Sequence, residues 1–394
     1  MNIILFDDPV IRKSLLPLTF TRPVAEIRVG ILTIAEKWSK RLEKNISFNT
    51  EDYLCEKYPC IKKNVNLWIN GAFCPTDDLI DAIDDLNSEE ALVRGTTIVA
   101  AKTQGDFSNL QQLPQQKYDG HATVIDAPWK IFKKNAEQIQ ADFDLITLGR
   151  ISEDIEDAHT VIYGAENVFV EEGATIRAAI INAENGPVYI GKNAVISEGA
   201  IIRGAFALCE GAHVNMGAKV RGDSTIGPFC KVGGELSNSV LFGYSNKGHD
   251  GFVGNSVIGE WCNLGADTNT SNLKNNYANV KVWDYGKGGF TDTGEMFCGL
   301  IMGDHSKCSI NTMFNTGTVV GVSSNIFGAG FPRNFIPSFS WGGAAGLTTY
   351  QLNKANEVIA RVMERRGLIY DAAEQEIMKN IFEQTAEYRI WENQ

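Results

Sequence analysis

Apolar residues in the second half of the chain recur every six positions. The first series runs Ile190, Ile196, Ile202, Leu208, Val214, Val220, Ile226 and Val232. It resumes at Phe252, Ile258 and Leu264, and again at Met296, Met302, Cys308, Phe314, Val320 and Ile326. Four residues after most of these positions stands a small side chain, such as Ala194, Ala200, Ala212, Ala218, Cys230, Cys262 or Thr318; Phe206 and Leu300 are exceptions. A helix repeats every 3.6 residues, so a period of six cannot keep one of its faces apolar. The period does fit a solenoid of short strands and tight turns. Each hexad forms one side of a three-sided coil, with the aliphatic residue pointing inward and the small one near a corner. Stacked coils then bury one continuous core. Gly191, Gly227, Gly259, Gly265, Gly303 and Gly321 directly follow aliphatic positions, where little side-chain space is expected.

The pattern covers residues 160–337 and changes on either side. Residues 1–150 lack the hexad. Strand-like runs at Asn2–Phe6, Leu67–Ile69 and Thr97–Ala101 alternate there with helical stretches at Leu32–Lys44 and Lys130–Asp142, which predicts an α/β domain. The boundary is expected near Gly149–Asp157, where a polar run begins. After Trp341-Gly342-Gly343, the segments Thr349–Arg366 and Asp371–Ile390 read as two helices. Their apolar residues (Val358, Ile359, Val362; Ile377, Ile381) stand three and four apart. An exposed solenoid end needs a cover, so these helices are expected to cap it. The domains are therefore 1–150, 151–340 and 341–394.

Composition narrows the partners. Lys plus Arg number 36 and Asp plus Glu 48, giving a net charge of 36 − 48 = −12. So acidic a chain is a poor nucleic-acid binder, because phosphate contacts need clustered cations. No apolar run approaches the roughly 20 residues that span a bilayer. The first residues lack a basic region followed by a long apolar stretch, so no secretion signal is expected. The eight cysteines include no C-x-x-C pair and read as free thiols of a cytoplasmic protein. Cys230, Cys262 and Cys308 occupy repeat positions, which points to packing rather than chemistry. Glycine is abundant, 38 residues against 11 prolines, and much of it lies in the repeat region.

The hexads resemble those of the hexapeptide-repeat acyltransferases, and that resemblance implies a left-handed parallel β-helix of triangular section. Two breaks interrupt the repeat, at 233–251 and 270–295; loops set in a rigid scaffold commonly carry sites. The stretch K247-G-H-D-G-F-V-G-N-S-V-I-G-E-W-C-N-L-G-A-D-T-N-T-S-N-L273 is similar to the active-site region of one acetyltransferase family. These are the bifunctional N-acetylglucosamine-1-phosphate uridylyltransferase / glucosamine-1-phosphate N-acetyltransferases, in their archaeal form. A later run, Gly294 to His305, resembles them too.

By position, the resemblance makes His249 the catalytic histidine. Imidazole has a pKa suited to taking the proton of a sugar amine as the acetyl group leaves acetyl-CoA. The resemblance further implies that Asn263 contacts the sugar and that Asn272 sets the acetyl and coenzyme geometry. Phe252 stands where many members have a substrate-binding tyrosine. Backbone N–H groups near Ala266 are expected to serve the tetrahedral intermediate. A homotrimer is also implied. Basic residues that grip the sugar phosphate in the bacterial enzymes have no clear counterpart: Asn215 and Gly233-Gly234 occupy their places. Arg203, Arg221, Lys231 and Lys247 are the alternatives, so the acceptor sugar stays open. His213 and His305 lie in regular hexads and read as structural. A zinc site of three histidines is not expected, since His213, His249 and His305 stand 36 and 56 residues apart with no close pair.

In the first domain, L16-P-L-T-F-T-R22-P23 resembles the L-x-P-L-T-x-T-R-P segment of sugar-1-phosphate nucleotidylyltransferases. That family cradles nucleotide phosphates in a glycine-rich loop, follows R-P with lysine, and holds Mg²⁺ on an aspartate. Here the loop is Phe6-Asp7-Asp8-Pro9, the lysine position is Val24, and W68-I-N-G-A72-F carries Ala72 in place of the acid. Two explanations stay open. A remodelled site uses Arg12 and Arg22, with Arg28 and Lys37, to bind UTP or dTTP; or the domain has lost transfer and kept its fold for binding or assembly. Arg22 and Arg28 also have a structural alternative, an ion pair with Glu26 or Asp7. The function expected is acetyl-CoA-dependent N-acetylation of an amino-sugar 1-phosphate, coupled to a divergent nucleotidylyltransferase domain whose metal, if Mg²⁺, lacks its usual ligand. The alternative is a non-catalytic protein that binds nucleotide sugars.

Overall fold

The computed structural model describes residues 2–105, 107 and 109–393. The outermost domain bounds, Met1 and Gln394, lie outside the described residues. The chain forms two compact units, one of residues 1–15, 21–27 and 32–127, the other of residues 16–20, 28–31 and 128–394.

The first unit is built on a six-stranded sheet. Strand β1 (Asn2–Phe6) lies between β2 (Ile46–Asn49) and β3 (Val65–Asn70), parallel to both. Beyond β3 come β5 (Thr97–Gln104), β4 (Glu90–Arg94) and β6 (Gln115–Lys117), with β5 antiparallel to both neighbours. Ile3, Ile4, Leu5 and Phe6 are all buried, as a central strand covered on two faces requires. Three helices accompany the sheet: α1 (Pro9–Ser14), α2 (Ile34–Leu42) and α3 (Asp77–Asp84). A capping box starts α2. The Thr33 hydroxyl accepts from the Glu36 N–H at 3.1 Å, and the Glu36 carboxylate accepts from the Thr33 N–H at 2.6 Å. Trp38 and Trp68 are fully buried, and each indole N–H donates at 2.8 Å, to the Phe73 carbonyl and the Thr103 hydroxyl. This is the mixed α/β domain that the sequence predicts.

The second unit opens with α4 (Pro128–Lys133) and α5 (Asn135–Thr147). The single helix read over 130–142 is thus two, broken at Lys134, whose φ/ψ of −96°/0° leaves the helical region. Asn135 donates to the Asp223 carbonyl and the Thr225 hydroxyl at 3.0 Å each, and Asp142 accepts from the Ile31 N–H at 2.8 Å. These bonds tie α4 and α5 to the solenoid unit, which takes up the chain from Pro128.

The solenoid is a three-sided coil whose strands stack into three parallel sheets. Sheet I has six strands, from Val161–Tyr163 to Phe252–Gly254; sheet II has nine, from Val168–Val170 to Phe335–Ile336. Sheet III has ten, from Thr175–Ile176 to Gly346–Thr349, the last pair antiparallel. All eight residues of the first hexad series are inward and at most 2% exposed. Glycine is needed where one coil's carbonyls press on the next: a Cβ at Gly265 would lie 2.5 Å from the Ile310 nitrogen.

Three expectations about the repeat are corrected. The stretch 233–251 is not an excluded loop. It continues the coil through Leu236, Leu241 and Lys247, all buried, with shortened steps. Phe252 is not the inward residue of its strand; Val253 is, at 1% exposure. Met296 is 42% exposed and lies outside the core, which resumes at Leu300 and Met302.

The second break is an insertion. Asn263 pairs with Lys307, 44 residues later instead of 18, so 44 − 18 = 26 residues are added. They include an antiparallel hairpin of Lys281–Asp284 and Gly289–Asp292. Its Trp283 ring stacks on Phe335 at 4.1 Å between centroids. The chain ends in helices α6 (Leu352–Glu364) and α7 (Ala372–Gln384). Thr349, read as the first residue of a helix, instead ends the last strand, Gly346–Thr349, and the helix begins at Leu352. Ile359, Met363, Ile377 and Ile381 bury the facing sides of the two helices.

Candidate functional site

Sheet III carries the cleft. Along its register the outward row reads His213, Lys231, Asn246, Asn263, Lys307 and Asn325. These residues point out because their neighbours Val214, Val232, Lys247, Leu264, Cys308 and Ile326 point in and are buried. A cleft of about 890 Å³ lies over the middle of the row, floored by Lys231, Asn246, Asn263 and Lys307. Tyr244 and Trp261, from the corner between sheets II and III, form one wall. Gly248, His249 and Ala266, from the corner between sheets III and I, form the other. Val362, Arg365 and Arg366, at the end of α6, complete it. A second hollow of about 620 Å³ continues around the His249 corner to Asp250 and Asp267.

The main chain of the His249 corner is fixed from below. Lys247 takes an inward position that elsewhere holds an aliphatic residue and is 1% exposed. Its ammonium donates to the His249 and Asp250 carbonyls at 2.6 Å each. Burial pushes its pKa down, opposed by the Asp250 charge. Asn215 donates to the Gly248 carbonyl at 2.8 Å, and the Asp267 N–H donates to the Asp250 carbonyl at 3.0 Å. The His249 imidazole is exposed and makes no hydrogen bond among the described residues. The loop is therefore held while the ring stays available.

Ala266 faces His249 from the next coil. Its carbonyl accepts from the Asn311 N–H at 2.7 Å, and its own N–H donates to no described acceptor. Glu198 and Met216 stand at the equivalent corner of other coils, and their N–H groups likewise donate to no described acceptor, so the coil geometry itself supplies such a donor. Asn263 is exposed between Asn246 and Lys307. Phe252 and Asn272 meet elsewhere, beside sheet I. A Cβ at Gly254 would lie 2.5 Å from the Phe252 ring and 2.7 Å from the Asn272 amide nitrogen. Asn272 donates to the Asn255 side-chain oxygen at 2.8 Å. The structure thus brings His249, Asn263 and Ala266 together in one cleft and sets Phe252 and Asn272 on the adjoining face.

Of the four alternative phosphate-binding cations, Lys231 alone lines the cleft. Lys247 is buried, Arg203 lies on sheet I, and Arg221 pairs there with Glu235 at 3.1 Å. Lys307, Arg365 and Arg366 escaped the sequence reading. Lys307 hides in a hexad, and only the dibasic pair Arg365-Arg366 offered a signal. The rings of Phe229, Tyr244, Trp261 and His305 stack along one corner, with centroids 5.1, 4.2 and 6.2 Å apart. All four residues have φ between 53° and 61°. That conformation costs a non-glycine residue roughly 1–2 kcal/mol, and the stacked rings offset part of it. Cys230, Cys262 and Cys308 are buried, and burial pushes their thiols up. Among the described residues, no helix is long and apolar enough to cross a membrane.

In the first unit, Arg12 is buried and paired with Asp7 at 2.7 Å. It also donates to the Arg22 carbonyl at 3.1 Å, the Tyr53 hydroxyl at 3.2 Å and the Thr50 hydroxyl at 3.3 Å. Asp7 accepts from the Val24 N–H at 2.8 Å; burial raises its pKa, with Arg12 opposing. Arg22 is likewise buried, at 4% exposure. The partner of Asp7 is therefore Arg12, not Arg22 or Arg28. Arg28, which belongs to the second unit, donates to the Ile31 carbonyl of that unit. The residues here do not fit a Mg²⁺ ion: Ala72 is apolar and fully buried, and the Asp7 oxygens are engaged.

Residues 3–151 match the family model of the sugar nucleotidyl transferases. No curated protein matches the chain. Among solved structures the chain is similar to a UDP-N-acetylglucosamine acyltransferase from Arabidopsis, at 13% identity and a TM-score of 0.25, over 60% of this chain and 96% of that one.

Proposed function

We propose that this chain, whose residues 3–151 match the sugar nucleotidyl transferases and whose solenoid is built of hexapeptide repeats, is a transferase of sugar-nucleotide biosynthesis that moves the acetyl group of acetyl-CoA to the amine of an amino-sugar 1-phosphate such as glucosamine 1-phosphate. The observation that carries this reading is the convergence of His249, Asn263 and Ala266 on one open cleft. His249 takes a proton from the amine as its nitrogen attacks the thioester carbonyl. The Ala266 N–H stabilises the resulting oxyanion. The C–S bond then breaks, and the coenzyme thiolate receives the proton held by the imidazolium. Lys247 and Asn215 keep the histidine loop in place, and Asn263 contacts the sugar.

Thiol release from acetyl-CoA with glucosamine 1-phosphate tests the reading. Wild type turns over, and His249→Ala loses on the order of 10²–10⁴-fold, the range of general acid–base catalysis. Full activity in that variant would sink the assignment.

For the first domain, the proposal is nucleotidyl transfer from UTP or dTTP, read by pyrophosphate release. A second reading, non-catalytic nucleotide-sugar binding, is favoured by the Arg12–Asp7 pair that occupies the loop position. Binding of UTP, dTTP or UDP-N-acetylglucosamine without pyrophosphate release separates the two. A homotrimer belongs to the same proposal. Val161, Ile180 and Ile201 form an exposed aliphatic row in register on sheet I, a surface suited to a second and third copy. Light scattering at three times the monomer mass would support it.

A further inference from the structure

The C-terminal helices do more than close an end of the solenoid. Four cations, Lys231, Lys307, Arg365 and Arg366, line the His249 cleft, and no carboxylate does, in a chain of net charge −12. Lys231, Arg365 and Arg366 make no ion pair among the described residues, and both arginines are exposed. A helix C-terminus favours cations by its dipole. The dipole does not explain why these two join two lysines from another element across an open cleft. Such a field draws anions and repels cations. The span is informative. Lys231 and Lys307 stand three strand steps apart on sheet III, roughly 14 Å at the usual strand spacing. A ligand that carries phosphates at more than one point matches that spread of positive charge better than a single phosphate does.

We propose that Arg365 and Arg366 of α6, with Lys231 and Lys307, bind the phosphates of a pyrophosphate-linked nucleotide lying along sheet III. This rests on the proposed reaction only for the location of the site. Two sources share the chemistry: the nucleotide end of coenzyme A and a nucleotide sugar. Arg366 acts electrostatically on Tyr244 of the aromatic wall and on His213, the register neighbour of Lys231. The nearest acids that act on Tyr244, Glu210 and Glu260, do not line the cleft.

Calorimetric titration of the full chain tests the inference, with coenzyme A, UDP-N-acetylglucosamine and glucosamine 1-phosphate in separate arms. Arg365→Ala/Arg366→Ala should weaken binding of coenzyme A or of the nucleotide sugar about ten-fold or more, with a deficit that shrinks as salt rises. Whichever arm responds identifies the source. Glucosamine 1-phosphate should change less than about three-fold by the same electrostatic scaling. Lys219→Ala, which removes an exposed cation on sheet I, should change nothing. Unaltered binding of both nucleotides in the double variant overturns the proposal. So does failure of both to bind wild type, or a loss confined to the sugar monophosphate. An unchanged melting temperature shows that the variant is folded. Arginine-dependent nucleotide binding without turnover would refute acetyl transfer and leave this site standing.

Discussion

Two clusters of positive charge in this protein look alike in sequence and differ in state. In the first unit, Arg12 is buried against Asp7 and spends its other donors on the Arg22 carbonyl and two hydroxyls. In the solenoid, Lys231, Arg365 and Arg366 face an open cleft with no ion pair among the described residues. A buried cation paired with a buried carboxylate and bonded to its neighbours holds a loop. A cation left unpaired at the rim of a cleft keeps its charge for a ligand. The difference separates architecture from binding in a way residue type alone does not.

The sharpest way to break the comparison is to remove Arg12. Arg12→Ala leaves the Asp7 carboxylate buried without its counter-ion, a loss of about 3–5 kcal/mol. The first unit should lose a large part of its stability, read by chemical denaturation. Asp7→Asn/Arg12→Met should recover much of that loss, because neither partner is then charged. Arg365→Ala should stay within about 0.5 kcal/mol of wild type, as exposed positions do. If Arg12→Ala were thermally neutral and abolished pyrophosphate release, the arginine would belong to a nucleotide site and the contrast would fail.

Lys247 stands between the two classes, buried like Arg12 yet under the His249 corner. Lys247→Met keeps the volume of an inward side chain and removes both donors to the 249–250 carbonyls. Those carbonyls lie at an exposed corner and can turn to water, so the coil should survive with a destabilisation of roughly 1–2 kcal/mol. The loop then loses its tether. The expected result is about a ten-fold fall in kcat with the KM for acetyl-CoA little changed, because a misplaced base costs transition-state rather than ground-state binding. A parallel fall in stability and kcat with Lys247→Arg restoring neither would make the residue purely structural.

The solenoid was legible because its inward residues repeat with one period over many coils. Legibility failed where the physics changed. From Val232 the inward series runs through Leu236, Leu241, Lys247, Val253 and Ile258, so steps of four, five and six replace the constant six, and one member is a lysine. A scan for aliphatic hexads sees only a gap there. His249 was visible because it lies in a contiguous motif, as was Asn263. Lys307, Arg365 and Arg366 were not, since the cleft joins strands 76 residues apart, from Lys231 to Lys307, to a helix further on. The paired state of Arg12 was equally hidden. Asp7 lies five residues away, but burial and hydroxyl partners from Thr50 and Tyr53 fix the pair.

The smallest expected effect reports on the cleft's field directly. His213 begins the outward row of sheet III, and its pKa is held below the ordinary 6.5 by burial, then by Lys231 and Arg366. The folded state therefore takes up this proton at lower pH than the unfolded state does. As pH falls below about 6.5, unfolding gains a proton and stability declines until the folded pKa is passed. Arg366→Ala removes one of the two cations and should move the imidazole titration upward, followed by NMR of the ring protons. A bound pyrophosphate should do the same in wild type by neutralising both cations at once, and should do less in the variant. If the anion left His213 unmoved in wild type, it would be sitting away from Lys231 and Arg366. The open cleft would then be no better matched to a ligand than the closed pocket around Arg12.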